Sequence, residues 1–208
     1  MTASEMLSPD NLALGVTPGK VSDTQDPAGL GRIRVEFILK GSRIESEWLQ
    51  VMSFYAGPGY GAFFQPAKGD TVLLAFGNGD ASRVYVLGCL WDGTQKPPVE
   101  MDRQQDVRVI RTKSGKTITL DDSQQGKGGI VIVDNNRNRI EIDTAGNKVS
   151  ISSEGDLEIS AKGSVTIRGA QVTVQNTSGS VKAALSNTTM QLQGGQNMKL
   201  SATVIDLN

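Results

Sequence analysis

Three carboxylates at alternate positions, Glu154, Asp156 and Glu158, are the residues of this 208-residue chain whose spacing most invites chemistry. Paired carboxylates cleave glycosidic bonds, but only when they flank a cleft. Calcium is the other use, and it needs about six to eight oxygens around one point. Here the acids fall in a short turn of a repeated pattern, and the repeat carries no regular Gly-Asp ligand motif, so they read as a solvated polar turn. Nucleophiles and metal ligands are sparser still. The chain has no histidine, which removes Ser-His-Asp and Cys-His catalysis and the commonest zinc ligand. Its one cysteine, Cys89, allows no internal disulfide and sits in an apolar strand, where it reads as a small core residue.

Two glycine motifs imitate nucleotide loops. GPGYG, residues 57–61, is followed by AFFQP rather than by the helix that a dinucleotide fingerprint requires. It reads as a structural loop, whose Tyr60, Phe63 and Phe64 are expected to pack the domain core or a contact between chains. SGKT, residues 114–117, ends like a phosphate-binding loop, but the required first glycine falls at Ile110 and a strand follows. Trp48 and Trp91 read as packing residues. Lys20, Arg32, Arg34, Lys40 and Arg43 are interleaved with Asp23, Asp26, Glu36, Glu45 and Glu47. With a net charge of -1, that mixture describes a solvated face rather than a nucleic-acid groove. No apolar run approaches the length of a membrane helix, roughly 20 residues. The N-terminal MTASEMLSPD lacks the basic and apolar regions of a secretory signal.

The elements that must position these residues are strands. GRIRVEFIL alternates Ile33, Val35 and Phe37 inward against Arg32, Arg34 and Glu36 outward. WLQVMSF is a second strand. TVLLAF, residues 71–76, is a continuous apolar run, as expected of a strand buried on both faces. GNGD is a turn, and RVYVLGCLW is a further strand with a bulge expected at Gly88. About five strands in this stretch predict a small OB-type barrel. DGTQKPP, residues 92–98, then ends it.

Beyond the prolines, apolar residues recur in pairs two apart: Ile118/Leu120, Ile130/Ile132, Ile140/Ile142, Val149/Ile151, Leu157/Ile159, Val165/Ile167, Val172/Val174, Val181/Ala183, Met190/Leu192, Met198/Leu200 and Ile205/Leu207. Repetition at such short steps indicates a β-solenoid or β-helix. One two-residue row per strand is too thin a core for a monomer. A single-chain solenoid is the alternative, but three intertwined chains would bury all three faces. At a strand spacing of about 4.8 Å, such a rod would be on the order of 50 Å long.

LGRIRVEF, WLQV and AGPGYGAFFQPAKGDTVLLAFGNGDASRVYVLGCLWDGTQKPP together resemble the OB domain of contractile-tail spikes. That family includes phage baseplate assembly protein V and the VgrG proteins of type VI secretion. RTKSGKTITLDD resembles the family's entry into its β-helix, with Lys116 where many members carry histidine. The resemblance implies an all-β chain: an arm over 1–12, an OB-fold barrel over 13–98, a neck over 99–117 and an intertwined trimeric β-helix over 118–208. It implies a non-enzymatic homotrimer at the centre of a contractile baseplate, which pierces the target cell envelope mechanically. The expected partners are a baseplate hub and tail tube at the OB end. A PAAR-type tip protein is expected at the C-terminal end, touching Val204, Ile205, Asp206, Leu207 and Asn208. The expected location is the baseplate of a phage virion or phage-tail-like particle, assembled in the bacterial cytoplasm. No nucleic acid, catalytic residue, metal or cofactor is expected, with an ion on the trimer axis left open. The ending SATVIDLN lacks the histidines of an iron-bound tip, and the stretch from Pro98 to Ile118 is too short for an inserted hydrolase. The rival readings are an OB protein that binds single-stranded nucleic acid or polysaccharide, and a β-solenoid glycan hydrolase acting through Glu154 or Glu158.

Overall fold

The computed structural model describes residues 15–123, 128–199 and 201–203, and among them it is all β apart from two short 3-10 turns. The predicted arm therefore lies outside the described residues. Contacts divide the chain into two units, with the division between Ser152 and Ser153.

Six strands build the first sheet: β1 (Val16–Asp23), β2 (Arg34–Leu39), β3 (Ser42–Glu45), β4 (Gln50–Val51), β7 (Thr71–Phe76) and β8 (Val84–Cys89). Their order is β3-β2-β1-β7-β8-β4, antiparallel except for the parallel pair of β4 with β8. Leu49, just ahead of β4, exchanges two backbone hydrogen bonds with Ile33, just ahead of β2. The β4 edge of the sheet is thereby tied back to the start of β2, next to the opposite edge. Pro18 lies in β1, where a missing N–H would harm an interior strand. Its position is tolerated because β1 pairs with β2 only from Gly19 onward. Gly19 itself admits no side chain, since a Cβ there would meet Val35 Cγ1 at 2.5 Å.

The expected alternation on β2 holds: Ile33, Val35 and Phe37 are buried with Val21, Leu49, Val72, Leu74, Phe76 and Val86 in one core. β7 differs from expectation. Val72, Leu74 and Phe76 are buried, while Leu73 and Ala75 on its other face are only half covered. The bulge at Gly88 is present as a register shift opposite Leu73 and Leu74, and Gly88 takes φ 152°. Cys89 ends β8 past that bulge, outside the core cluster, and is exposed rather than buried. Trp91 is exposed too, whereas Trp48 is half-buried with the Arg34 guanidinium 5.2 Å from its ring centre.

The loop before β2 is organised by one carboxylate. Asp26 accepts hydrogen bonds from the amides of Ala28 (3.0 Å), Leu30 (3.0 Å) and Arg32 (3.3 Å). It also accepts Nε and Nη2 of Arg32 at 2.9 and 2.8 Å. The Arg32 guanidinium, helped by the three amides, holds the Asp26 carboxyl far below the usual carboxylate range. A carboxyl depressed on folding stabilises the fold above its unfolded pKa, about 3.9, and that stabilisation is lost as pH falls below it. Asp26→Asn should therefore lower the thermal midpoint at pH 7, on the order of 5 °C, with the gap narrowing below about pH 4. Thermal melts of both proteins across pH 3 to 7 check it; a gap that stayed constant would show that the charge is not the cause.

The segment after β8 is bolted to the same sheet. Thr71 Oγ1 donates to Asp92 at 2.6 Å, and the Gln95 side chain accepts from the Thr71 amide and donates to the Gly69 carbonyl. DGTQ is thus an anchored turn.

The second sheet is a meander of β9 (Val107–Arg111), β10 (Thr117–Asp121), β11 (Gly129–Val133), β12 (Arg139–Asp143) and β13 (Lys148–Ser152). Each strand is antiparallel to the next. β9 falls inside the stretch expected to be a neck. The tight turns use left-handed residues where they are needed: Gly115 at φ 93° and Asn147 at φ 47°. In the second unit, β14 (Gln171–Gln175), β15 (Lys182–Ser186) and β16 (Met190–Gln193) form a three-stranded meander. No strand forms between Ser152 and Gln171.

Candidate functional site

The meander of β9 to β13 leaves one strongly apolar face open, which an isolated sheet would not do. Cross-strand register places Ile110, Ile118, Ile132, Ile140 and Ile151 in one column. A second column holds Leu120, Ile130, Ile142 and Val149, headed on β9 by Arg108. These nine apolar side chains are between 40% and 67% exposed. The opposite face mixes Val107, Val109, Val131 and Val133 with Thr117, Thr119, Asp121, Arg139 and Glu141, all of them buried or half-buried. Two ion pairs hold charges down on that face. Arg139 donates Nε and Nη2 to Glu141 at 3.1 and 2.7 Å, and Arg103 pairs with Asp121. Each sequence pair from Ile118/Leu120 to Val149/Ile151 contributes one residue to each column. The sequence pairs do not show Ile110, which lengthens the first column onto β9.

The second unit repeats the pattern on a smaller scale. Val174, Ala183 and Leu192 form one column, and Val172, Leu185 and Met190 the other. Here the pair on β15 is Ala183/Leu185, not Val181/Ala183. Val181 closes a turn instead, donating its amide to Asn176 Oδ1 and accepting the Asn176 amide. Between the two meanders, Leu157, Ile159, Val165 and Ile167 keep the pair spacing and are 55% to 72% exposed, without belonging to any sheet. Glu154, Asp156 and Glu158 lie on this segment, in the turn that precedes and overlaps the Leu157/Ile159 pair. Val204, Ile205, Asp206, Leu207 and Asn208, the expected tip contacts, lie outside the described residues, as does Leu200.

A separate apolar surface lies on the OB side. GPGYG forms the hairpin of β5 (Ala56–Gly57) and β6 (Tyr60–Gly61), turning at Pro58 and Gly59, the latter at φ 77°. A Cβ on Gly57 would lie 2.2 Å from the Tyr60 ring, so the tyrosine folds over the glycine. Tyr60, Phe63 and Phe64 do not pack the domain core. They stand exposed, Phe63 at 75%, around an open groove that Phe54, Tyr85 and Cys89 also line.

Residues 17–91 match the Type VI secretion system/phage-baseplate injector OB domain, so that stretch is similar to the OB domain of injector spikes. The six-stranded sheet and its core lie within or at the edges of the match. Among individual proteins, the chain is 35% identical over 88 residues to the type VI secretion system spike protein VgrG4b of Pseudomonas aeruginosa. It is 30% identical over 103 residues to VgrG5, a spike protein of the same organism, and 28% identical over 88 residues to the actin cross-linking toxin VgrG1 of Vibrio cholerae. These matches take in 40%, 48% and 40% of this chain, but only 11%, 13% and 8% of the respective relatives.

Proposed function

We propose that the protein is the homotrimeric central spike of a contractile injection baseplate, and that it breaches the target envelope mechanically rather than by catalysis. The observation that carries this reading is the pair of exposed apolar columns on the β9–β13 meander. Covering them stabilises by about 1 kcal/mol per side chain, on the order of 10 kcal/mol per chain. Strand length favours three copies as the cover. A five-residue strand at about 3.3 Å per residue makes a triangle side of roughly 17 Å, whose centre lies about 5 Å from each face. That is half the usual sheet-to-sheet distance of about 10 Å, so three sheets close on a core one side chain deep from each. The segment between Ser152 and Gln171 supports the same reading. Its apolar pairs continue, yet its chain offers no neighbouring strand, so its ladder partners come from other copies and the three chains intertwine there.

The injector OB domain supports docking of that end on a baseplate hub and the end of a tail tube, inside a phage particle or a secretion-system baseplate assembled in the bacterial cytoplasm. At the other end, the last strand of an intertwined trimer leaves three open edges. A conical tip protein of the PAAR type caps them through Val204, Ile205, Asp206, Leu207 and Asn208. Removing those five residues should leave the trimer intact and abolish binding of the tip protein, as read by co-purification; equal binding by the truncated spike would overturn the assignment. The spike itself is tested by mass in solution. A particle of about three times 22.1 kDa that resists SDS is expected, and a monomer would end the proposal.

A further inference from the structure

The corners of such a prism can be read from the strand ends, and one corner carries a charge match. This step rests on the trimeric reading. In a threefold ring the contact is heterologous: the start of each strand in one copy meets the end of the same strand in the next, at the same height. Alternation continues past the ends of β10, so Lys116 and Asp122 lie at its two ends on the side of Ile118 and Leu120. Lys116 is exposed, and its ammonium donates to Ser114 Oγ at 2.9 Å within the same turn. At the other end of the strand, the Asp122 amide donates to the Asp106 carbonyl at 2.8 Å, which sets two acidic residues side by side on that edge. Asp134 stands beside Lys116 on its own edge, one strand along. At β10, one edge of the sheet thus presents Lys116, with Asp134 one strand along, and the other presents Asp122 beside Asp106.

We infer that Lys116 of each copy pairs across the corner with Asp122 of the next copy, with Asp106 one strand level away. Three such pairs ring the spike at β10. Exposed ion pairs contribute little stability. Their value lies in orientation: the pairing is satisfied only when all three sheets run in the same direction. An antiparallel association brings Lys116 of one copy against Lys116 of another.

The test needs no engineered contact. A carbodiimide joins an amine to a carboxylate only when the two already touch. Within one chain, Lys116 and Asp122 are separated by the whole of β10, roughly 20 Å, so an amide between them can form only between copies. The expected result is covalent dimers and trimers on denaturing gels, with the Lys116–Asp122 or Lys116–Asp106 junction found by peptide mass spectrometry. Lys116→Arg, which keeps the charge but cannot form the amide, should remove that junction while the mass in solution stays trimeric. A trimer whose Lys116 couples only to its own Asp134, or to nothing, overturns the corner pair and leaves the trimeric reading standing. A monomeric mass overturns both.

Discussion

Ile140→Glu should abolish the trimer. Ile140 sits in the second strand from the end of the meander, with Ile132 on one side of it in the column and Ile151 on the other. In one isolated chain the substitution is mild, because the side chain is 45% exposed and a glutamate there would reach water. On a threefold axis it is severe. Three carboxylates would face one another in a core one side chain deep, each an uncompensated buried charge costing about 3–5 kcal/mol. Over the trimer that is about 9–15 kcal/mol, a third to a half of the roughly 30 kcal/mol expected from closing three chains' columns, and the remainder must still offset the several kcal/mol lost in each association. Sedimentation should therefore show monomer or aggregate in place of trimer, while circular dichroism keeps the OB-domain signal. Glu141→Ala, next door on the opposite face, serves as the control. It removes a partner of Arg139 and should leave the trimer in place, because exposed or half-buried ion pairs of this kind contribute under about 1 kcal/mol. If Ile140→Glu assembled normally, the columns would not be the interface.

Trypsin should distinguish the intertwined stretch from an open segment just as sharply. Lys162 and Arg168 lie between Ser152 and Gln171, where the single chain forms no strand. An exposed extended backbone is what a protease binds, so an unassembled chain should be cut at both sites within minutes. In the trimer, every residue from Ser153 to Ala170 would have a strand from another copy on each side. Cleavage then requires local opening, and its rate follows the stability of the whole ladder. The expected slowing is at least a hundredfold, measured as the half-life of the intact chain by mass spectrometry. Ile140→Glu supplies the unassembled comparison. Equal half-lives in the two proteins would show that no other chain covers this segment.

The sequence is most legible where one residue decides one thing. Ile33, Val35 and Phe37 alternate because a pleated strand alternates, and they are buried accordingly. The pairs from Ile118/Leu120 to Val149/Ile151 are legible for the same reason. Position on a face, however, does not tell what lies over that face. TVLLAF shows the limit: the run looks buried on both sides, yet only Val72, Leu74 and Phe76 meet the core, because among the described residues no second layer closes fully over Leu73 and Ala75. Cys89 and Trp91 mislead in the same way, being apolar residues past a bulge where the core has ended. Tyr60, Phe63 and Phe64 are aromatic enough for a core, but the turn at Pro58 and Gly59 carries them out to the rim of a groove. The Asp26 cage was invisible for another reason. An aspartate near an arginine six residues later is ordinary in a mixed-charge loop. Only the closed geometry shows that five donors converge on it. The edge charges Lys116 and Asp122 are equally unremarkable until the meander assigns them to opposite ends of one strand.

In the proposed trimer, the division of labour between the β9–β13 meander and the segment after Ser152 bears on how the three chains would find their alignment. A repeat of about eight residues is degenerate: sliding one chain by one repeat against its neighbours superposes apolar pair on apolar pair and costs little at any single level. The meander has no such freedom. Its register is written within each chain by short turns at Thr112–Lys116, Asp134–Asn138 and Thr144–Asn147, and contacts so local form early and quickly. Under the trimeric proposal, three preformed meanders that docked first would bring residue 153 of every chain to one height before any threading began. The winding downstream then starts in phase, like a zip whose slider is seated before it is pulled. A spike lacking that seat would have the same apolar pairs and several nearly equivalent ways to misalign them.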